Sequence, residues 1–226
     1  MFSYTRHQQA AIAELDSPLL LVACAGSGKT QVISQRISQV LSEPGVSPMN
    51  VIAFTFTDKA AAELKERIHR IVRQEHGELP GLAEMYVGTL HGYALNLLQT
   101  FVPEAFKYRV LTDITQRLLI DRQSTRSGLT TCPTTAPSRP TLWRYVDSKL
   151  YMQVLSVLQE DAVDFGLVPD GVTESLQSYV QMLADQKYFD YTSMIANAVA
   201  FLESDPDDSE LSTAELELLR HIREDV

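Results

Sequence analysis

The sequence predicts an α/β fold, a parallel sheet flanked by helices, and three observations lead there. Short apolar runs at residues 19–23, 51–56 and 85–89 have strand length and β-branched or aromatic content. Each passes through a short turn straight into a segment of helical apolar spacing, the alternation that builds parallel sheets. From about residue 107 the strand signals stop, and helical stretches at roughly 114–126, 141–160, 172–187 and 190–203 predict a second, all-helical part.

The first run, Leu19-Leu20-Leu21-Val22-Ala23, leads into Cys24-Ala25-Gly26-Ser27-Gly28-Lys29-Thr30 and then into the helical pattern from Gln31 to Ile37. Strand, small-residue loop, Gly-Lys-Thr and helix together are the context in which a phosphate-loop match carries a mechanism. Small side chains at Ala25, Gly26, Ser27 and Gly28 let backbone N–H groups approach phosphate oxygens. The helix start adds donors and a positive dipole end, worth roughly 0.3–2 kcal/mol for an anion. Lys29 would reach the β/γ-phosphates, and the Thr30 hydroxyl would ligate Mg²⁺. Ala23 stands where the strict pattern has its first glycine. An ordinary glycine turn before a helix is the plainer alternative, and the strand–loop–helix context weighs against it.

At 226 residues with 45% apolar content, the chain suits one large or two modest domains with a real core. No apolar run reaches membrane-spanning length and no basic segment precedes an apolar one at the start, so neither a span nor a leader is expected. Two cysteines make no disulfide framework and fit a reducing cytoplasm. Cys24 reads as a small residue tolerant of close packing rather than a redox switch. The formal net charge is −10 and is uneven: residues 201–226 hold nine acidic and two basic side chains, leaving positions 1–200 near neutrality. A local basic strip can therefore still follow a phosphate backbone.

Thr5 is a fair N-cap for a helix carrying Gln8 and Ala11-Ile12. That segment followed by Ala-x-Ala-Gly-Ser-Gly-Lys-Thr resembles the Gln motif and first helicase motif of UvrD-like superfamily 1 helicases. In that family the glutamine amide reads the adenine edge, so the resemblance implies this role for Gln8; Gln31 stands where some members place an adenine-stacking arginine. Thr55-Phe56-Thr57-Asp58-Lys59-Ala60-Ala61-Ala62-Glu63-Leu64 is similar to motif Ia, with Asp58 a plausible helix cap and Ala61, Leu64, Ile68, Ile71 and Val72 forming one buried face. The resemblance makes Thr55, Thr57 and Lys59 contacts to single-stranded DNA and Phe56 a stacking platform, physically sound at about 1–3 kcal/mol per base. Thr89-Leu90-His91 resembles motif Ib and makes Thr89 and His91 candidate backbone contacts. Leu90 replaces the usual aromatic, so stacking there would be lost or pass to Tyr93.

The resemblance implies residues 1–106 as an incomplete RecA-like, P-loop ATP-binding motor domain, and 107–226 as a helical inserted subdomain with an acidic C-terminal helix. Residues 128–140 read as an exposed Thr/Ser/Pro-rich loop. Phe189-Asp190-Tyr191 resembles the segment that closes the family's insertion, with Asp190 a helix cap or packing residue. Ser212-Thr213-Ala214-Glu215 predicts a capping box for a last helix. In the family, a strand ending in Asp-Glu-x-Gln-Asp, with the Walker B acids, follows next, and a second motor domain beyond it. The expectation is thus the ATP- and single-stranded-DNA-binding front of a 3′–5′ DNA helicase, with ATP and Mg²⁺ as cofactors and the C-terminal motor domain as partner. Little turnover is expected from these residues by themselves. A stand-alone nucleotide- or DNA-binding regulatory module is the alternative. A P-loop kinase would have no use for the 55–64 motif.

Overall fold

The structure, a computed structural model, describes residues 3–160, 163–204, 213, 216 and 220. The chain divides into two compact units, one reaching Tyr93 and one formed from Ala94 onward, so the boundary falls within a helix, Leu90–Phe101.

In the first unit, helix α1 (Arg6–Ala13) opens with a capping box: Gln8 N–H donates to the Thr5 hydroxyl at 3.3 Å, and Thr5 N–H donates to Gln8 Oε1 at 2.8 Å. Helix α2 (Lys29–Val40) and the long α3 (Asp58–His76) frame two strands, β1 (Ile52–Thr55) and β2 (Tyr86–Thr89), and α4 (Leu90–Phe101) leaves β2 directly. The strands pair in parallel, Ile52 opposite Tyr86 and Thr55 opposite Thr89, with α3 as the crossover that parallel pairing demands. Ala61, Leu64, Ile68, Ile71 and Val72 form the buried face of α3. Ile68 and Val72 lie fully inside with Ile37, Leu41, Ala53 and Met85, and burying each is worth about 1.5–3 kcal/mol. Polar ties reinforce the packing. Arg36 donates to Ala11 O at 2.7 Å, and Gln35 and Ser38 donate to the two carboxylate oxygens of Glu75 at 2.6 and 2.8 Å.

Two expectations are corrected here. Residues 19–23 form no strand: they carry no ladder, and Leu20 and Val22 are 86% and 87% exposed. A strand exists only with a neighbour to bond its backbone, and among the described residues of this unit β1 and β2 pair with each other alone. The cap of α3 is Thr57, whose hydroxyl accepts from Ala60 N–H at 3.2 Å, whereas Asp58 is the first helical residue. There its carboxylate still faces the positive helix end.

The second unit holds α5 (Asp113–Arg122), α6 (Ser148–Glu160), α7 (Asp170–Gln186) and α8 (Tyr191–Glu203). It is not all helical, because β3 (Arg109–Val110) and β4 (Tyr188–Phe189) form a short parallel ladder. Its core gathers Ile120, Leu129, Tyr151, Leu155, Tyr179 and Met182. Asp190 caps α8, accepting from Ser193 N–H at 2.7 Å through one oxygen and from Tyr179 and Gln116 through the other. The 128–140 stretch is only partly the exposed loop expected. Gly128 turns at φ +80° against Ser175, and Leu129 and Cys132 enter the core. The expected helix at 114–126 stops at Arg122, and the one expected at 141–160 begins only at Ser148, because buried carboxylates take backbone N–H groups ahead of it. Asp147 accepts from Trp143 N–H and Asp121 from Tyr145 N–H, both at 2.8 Å. Most of the predicted helix at 212–223 and of the acidic turn before it lies outside the described residues.

Tyr151 ties this unit together. Its hydroxyl reaches the carbonyls of Ser127 at 2.6 Å and Ser175 at 2.9 Å, and burial raises its pKa so that it stays a donor. Tyr151→Phe leaves both buried carbonyls without that partner. It should lower unfolding stability by about 1–3 kcal/mol, read as a reduced urea midpoint at unchanged slope.

Candidate functional site

The 24–30 loop is shaped by two glycines in the left-handed region, Gly26 at φ +77° and Gly28 at φ +83°, where a side chain would be strained. Ser27 folds back on Cys24, its N–H and hydroxyl both donating to the Cys24 carbonyl, at 3.3 and 2.7 Å. Lys29 Nζ donates to Ala23 O at 2.9 Å and Cys24 O at 2.7 Å, so its ammonium is held within the loop. Helix α2 starts at Lys29 with Gly28 as a cap that offers no side chain. The first-turn N–H groups therefore have no side-chain acceptor from the cap residue, and a helix start of this kind attracts anions. Thr30 lies exposed in that first turn, and Ala25, Gly26, Ser27 and Gly28 are exposed in the loop.

Gln8 is fastened to this loop. Beyond its capping bond to Thr5, its Nε2 donates to Ser27 O at 3.0 Å. Gln31 turns the other way, donating to the Tyr4 hydroxyl at 2.9 Å, while Tyr4 donates to Gln35 at 3.0 Å. Beside Gln8 and Gly28 opens a cavity of about 400 Å³, also lined by Tyr4, Gln31, Arg67 and Arg70. Arg67 Nε itself is buried with no hydrogen-bond partner. Tyr4, Arg67 and Arg70 were not legible as site residues. Tyr4 reads as the apolar residue before an N-cap, and the two arginines read as the solvent face of a helix some sixty residues further on.

A second set of residues converges where β1 and β2 end. Parallel pairing points both carboxyl ends the same way, which brings Thr55 opposite Thr89 and sets residues 55–59 beside 89–91. Phe56 is entirely in water, at 102% exposure, although it follows directly on a strand. The Thr55 hydroxyl donates to Thr57 O at 3.0 Å, Thr57 caps α3, and Lys59 is exposed on its first turn. The Thr89 hydroxyl accepts from Gly92 N–H at 3.1 Å, and His91 is exposed at the start of α4. Tyr93 is not a free platform: its half-buried ring packs edge-on against Tyr86 at 4.9 Å and Phe54 at 5.6 Å. Burial, then the Asp58 charge, then Tyr93 hold the Tyr86 hydroxyl above the ordinary phenol range, and it donates to Thr89 O at 3.0 Å.

Among the described residues no cluster of three or more His, Cys, Asp or Glu side chains could hold a metal, and no helix is long and apolar enough to cross a membrane. Two left-handed glycines, a lysine and a helix start without a side-chain cap are, together, the features of a phosphate-binding loop in an α/β chain. The chain belongs to the UvrD/REP helicase family, whose N-terminal domain matches residues 4–225. It is 42% identical over 92 residues to the ATP-dependent DNA helicase PcrA of Bacillus subtilis, a match covering 41% of this chain and 12% of that protein. The PcrA of Staphylococcus aureus is 42% identical over 93 residues, and that of Staphylococcus epidermidis 39% over 92, with the same 41% and 12% shares. The match spans about an eighth of the length of these relatives.

Gln8→Ala cuts the side-chain tie between α1 and the phosphate loop while leaving the fold's core untouched. Amide hydrogen exchange at Ser27 and Gly28 should speed up by about tenfold or more, with exchange in α3 unchanged.

Proposed function

We propose that this chain is the ATP- and single-stranded-DNA-binding front of an ATP-dependent 3′–5′ DNA helicase or translocase. The observation that carries the reading is Phe56: a ring wholly in water between two threonines, at the carboxyl end of a parallel strand and the start of a helix. Ligands of open parallel sheets bind at those ends. A P-loop enzyme acting on small molecules has no reason to expose a phenyl ring there, whereas an unpaired strand needs a stacking surface that ignores sequence. Residues 1–106 act as part of a RecA-like motor domain and 107–226 as its inserted subdomain.

Mg²⁺-ATP suits the donor set present. The backbone of residues 25–28 and the start of α2 hold the phosphates, and Lys29 exchanges the carbonyls of Ala23 and Cys24 for β/γ-phosphate oxygens. The Thr30 hydroxyl would be one ligand of Mg²⁺, and Gln31 would lie beside the nucleotide. Gln8 reads the adenine edge with the second N–H of its amide and the second lone pair of its carbonyl, beside the cavity that Arg67 and Arg70 also line. Bound ATP supplies the phosphoanhydride whose cleavage powers movement. Thr55, Thr57, Lys59, Thr89 and His91 contact the sugar–phosphate backbone while Phe56 stacks on a base.

These 226 residues contain no Asp-Glu-x-Gln-Asp sequence to orient a water, and an arginine finger alone is worth about 10³–10⁵ in rate. A polypeptide of these residues should therefore bind a fluorescent ATP analogue with Mg²⁺, lose that binding on Lys29→Ala, and hydrolyse ATP only at trace level without unwinding duplexes. It should bind labelled oligothymidine, and Phe56→Ala should weaken that binding about tenfold. Robust DNA-stimulated turnover, or DNA binding indifferent to Phe56, overturns the proposal.

A further inference from the structure

The second unit carries an aromatic surface that the phosphate loop and the strand ends do not account for. Trp143, the protein's single tryptophan, is 54% exposed and Tyr145 is 61% exposed, on the segment between α5 and α6. Each ring has a guanidinium over one face. Arg139 stands 5.3 Å from the Trp143 ring centre and Arg144 4.5 Å from that of Tyr145.

This presentation is built in. Buried Asp147 accepts from Trp143 N–H and pairs with Arg139 at 3.0 Å, and buried Asp121 accepts from Tyr145 N–H. Those bonds hold Tyr145 at φ +65°, a left-handed conformation that a bulky residue adopts only when its surroundings impose it. Two buried carboxylates thus fix the backbone, and two large rings that could have turned inward stand in water. The local charge is opposite to that of the chain as a whole. Residues 114–149 hold Arg117, Arg122, Arg126, Arg139, Arg144 and Lys149 against only two carboxylates, Asp121 and Asp147, both buried. Arg126 is engaged with Asp185 and Arg117 with Ser148, Lys149 lines a cavity with Asp113 and Glu160, and Arg144 projects from the exposed surface.

We propose that Trp143 and Tyr145, with Arg144 and Arg139, form a second binding platform for unpaired nucleic acid, distinct from the strand-end site in the first unit. Bases stack on the ring faces opposite the guanidinium groups, and Arg144 takes a phosphate. Rings with cations suit a strand that offers flat bases and a negative charge at every step, and recognition of this kind is blind to sequence. A protein partner would use the same rings as anchors, but the cationic rim inside an acidic chain favours the polyanion.

Because Trp143 is the only tryptophan, its emission reports on this platform alone. Titrating the 226-residue protein with an oligothymidine of about 16 nucleotides should quench that emission. Phe56→Ala should leave the quenching in place, which separates failure of this platform from failure of the strand-end site. In the Phe56→Ala background, adding Trp143→Ala should weaken binding of a labelled strand about tenfold, read by anisotropy, with an unchanged circular dichroism spectrum. Arg144→Gln should keep the quenching and reduce the salt slope by about one. Unchanged tryptophan emission at strand concentrations that saturate anisotropy overturns the platform and leaves the rings as a protein-contact patch. Equal quenching by polyglutamate or by an abasic strand overturns the stacking.

Discussion

The first unit depends on one pairing, the parallel ladder of β1 and β2 with Thr55 set against Thr89. Parallel strands cannot be joined by a tight turn, so α3 must cross between them, and its apolar face closes the core over Ala53 and Met85. The same geometry makes both strands end on one edge. Helices α3 and α4 start there almost without a linker, which is why residues more than thirty apart in sequence share that edge. A register slip of one residue would turn Ala53 outward and draw Phe54 into the core. Packing and site geometry therefore answer to one constraint, and Phe56 is exposed because the chain has left the strand before α3 begins.

The parts of the fold that each segment determines for itself were legible in the sequence. The buried face of α3 follows from apolar spacing alone, and all five of its expected members are inside. The strands at 52–55 and 86–89, the Thr5 cap and the Asp190 cap follow from local chemistry in the same way. What escaped depends on partners. The 19–23 run has every attribute of a strand except a neighbour, and propensity says nothing about who will pair with it. Residues 141–147 have helical composition, yet Asp121, twenty-four residues before Tyr145, removes a backbone N–H that a helix would use. In the 24–30 loop the glycine spacing anticipates two left-handed turns, but the cavity beside the loop did not follow from spacing. That cavity is assembled from the N-terminus of one helix and the flank of another, and no local pattern marks Tyr4 or Arg67 as its walls.

Charge is arranged by the same logic of local use. A chain with net charge −10 would be a poor nucleic-acid ligand if its charge were spread evenly. Screening limits an exposed charge to about 8–10 Å at ordinary ionic strength, so a phosphate responds to its immediate surface and not to the total. At the strand ends the donors are hydroxyls, Lys59 and a helix start. In the second unit the carboxylates of Asp121 and Asp147 are turned inward onto backbone N–H groups, Asp147 also pairing with Arg139, while Arg144 and Lys149 face water. Moving Asp121 to the surface would cancel a cation and release the Tyr145 backbone at once. Burying the acids thus performs two tasks together, holding the rings out and leaving the surface positive. The carboxylate bonds that keep residues 143–145 out of the helix that starts at Ser148 are the ones that hold the two rings in water.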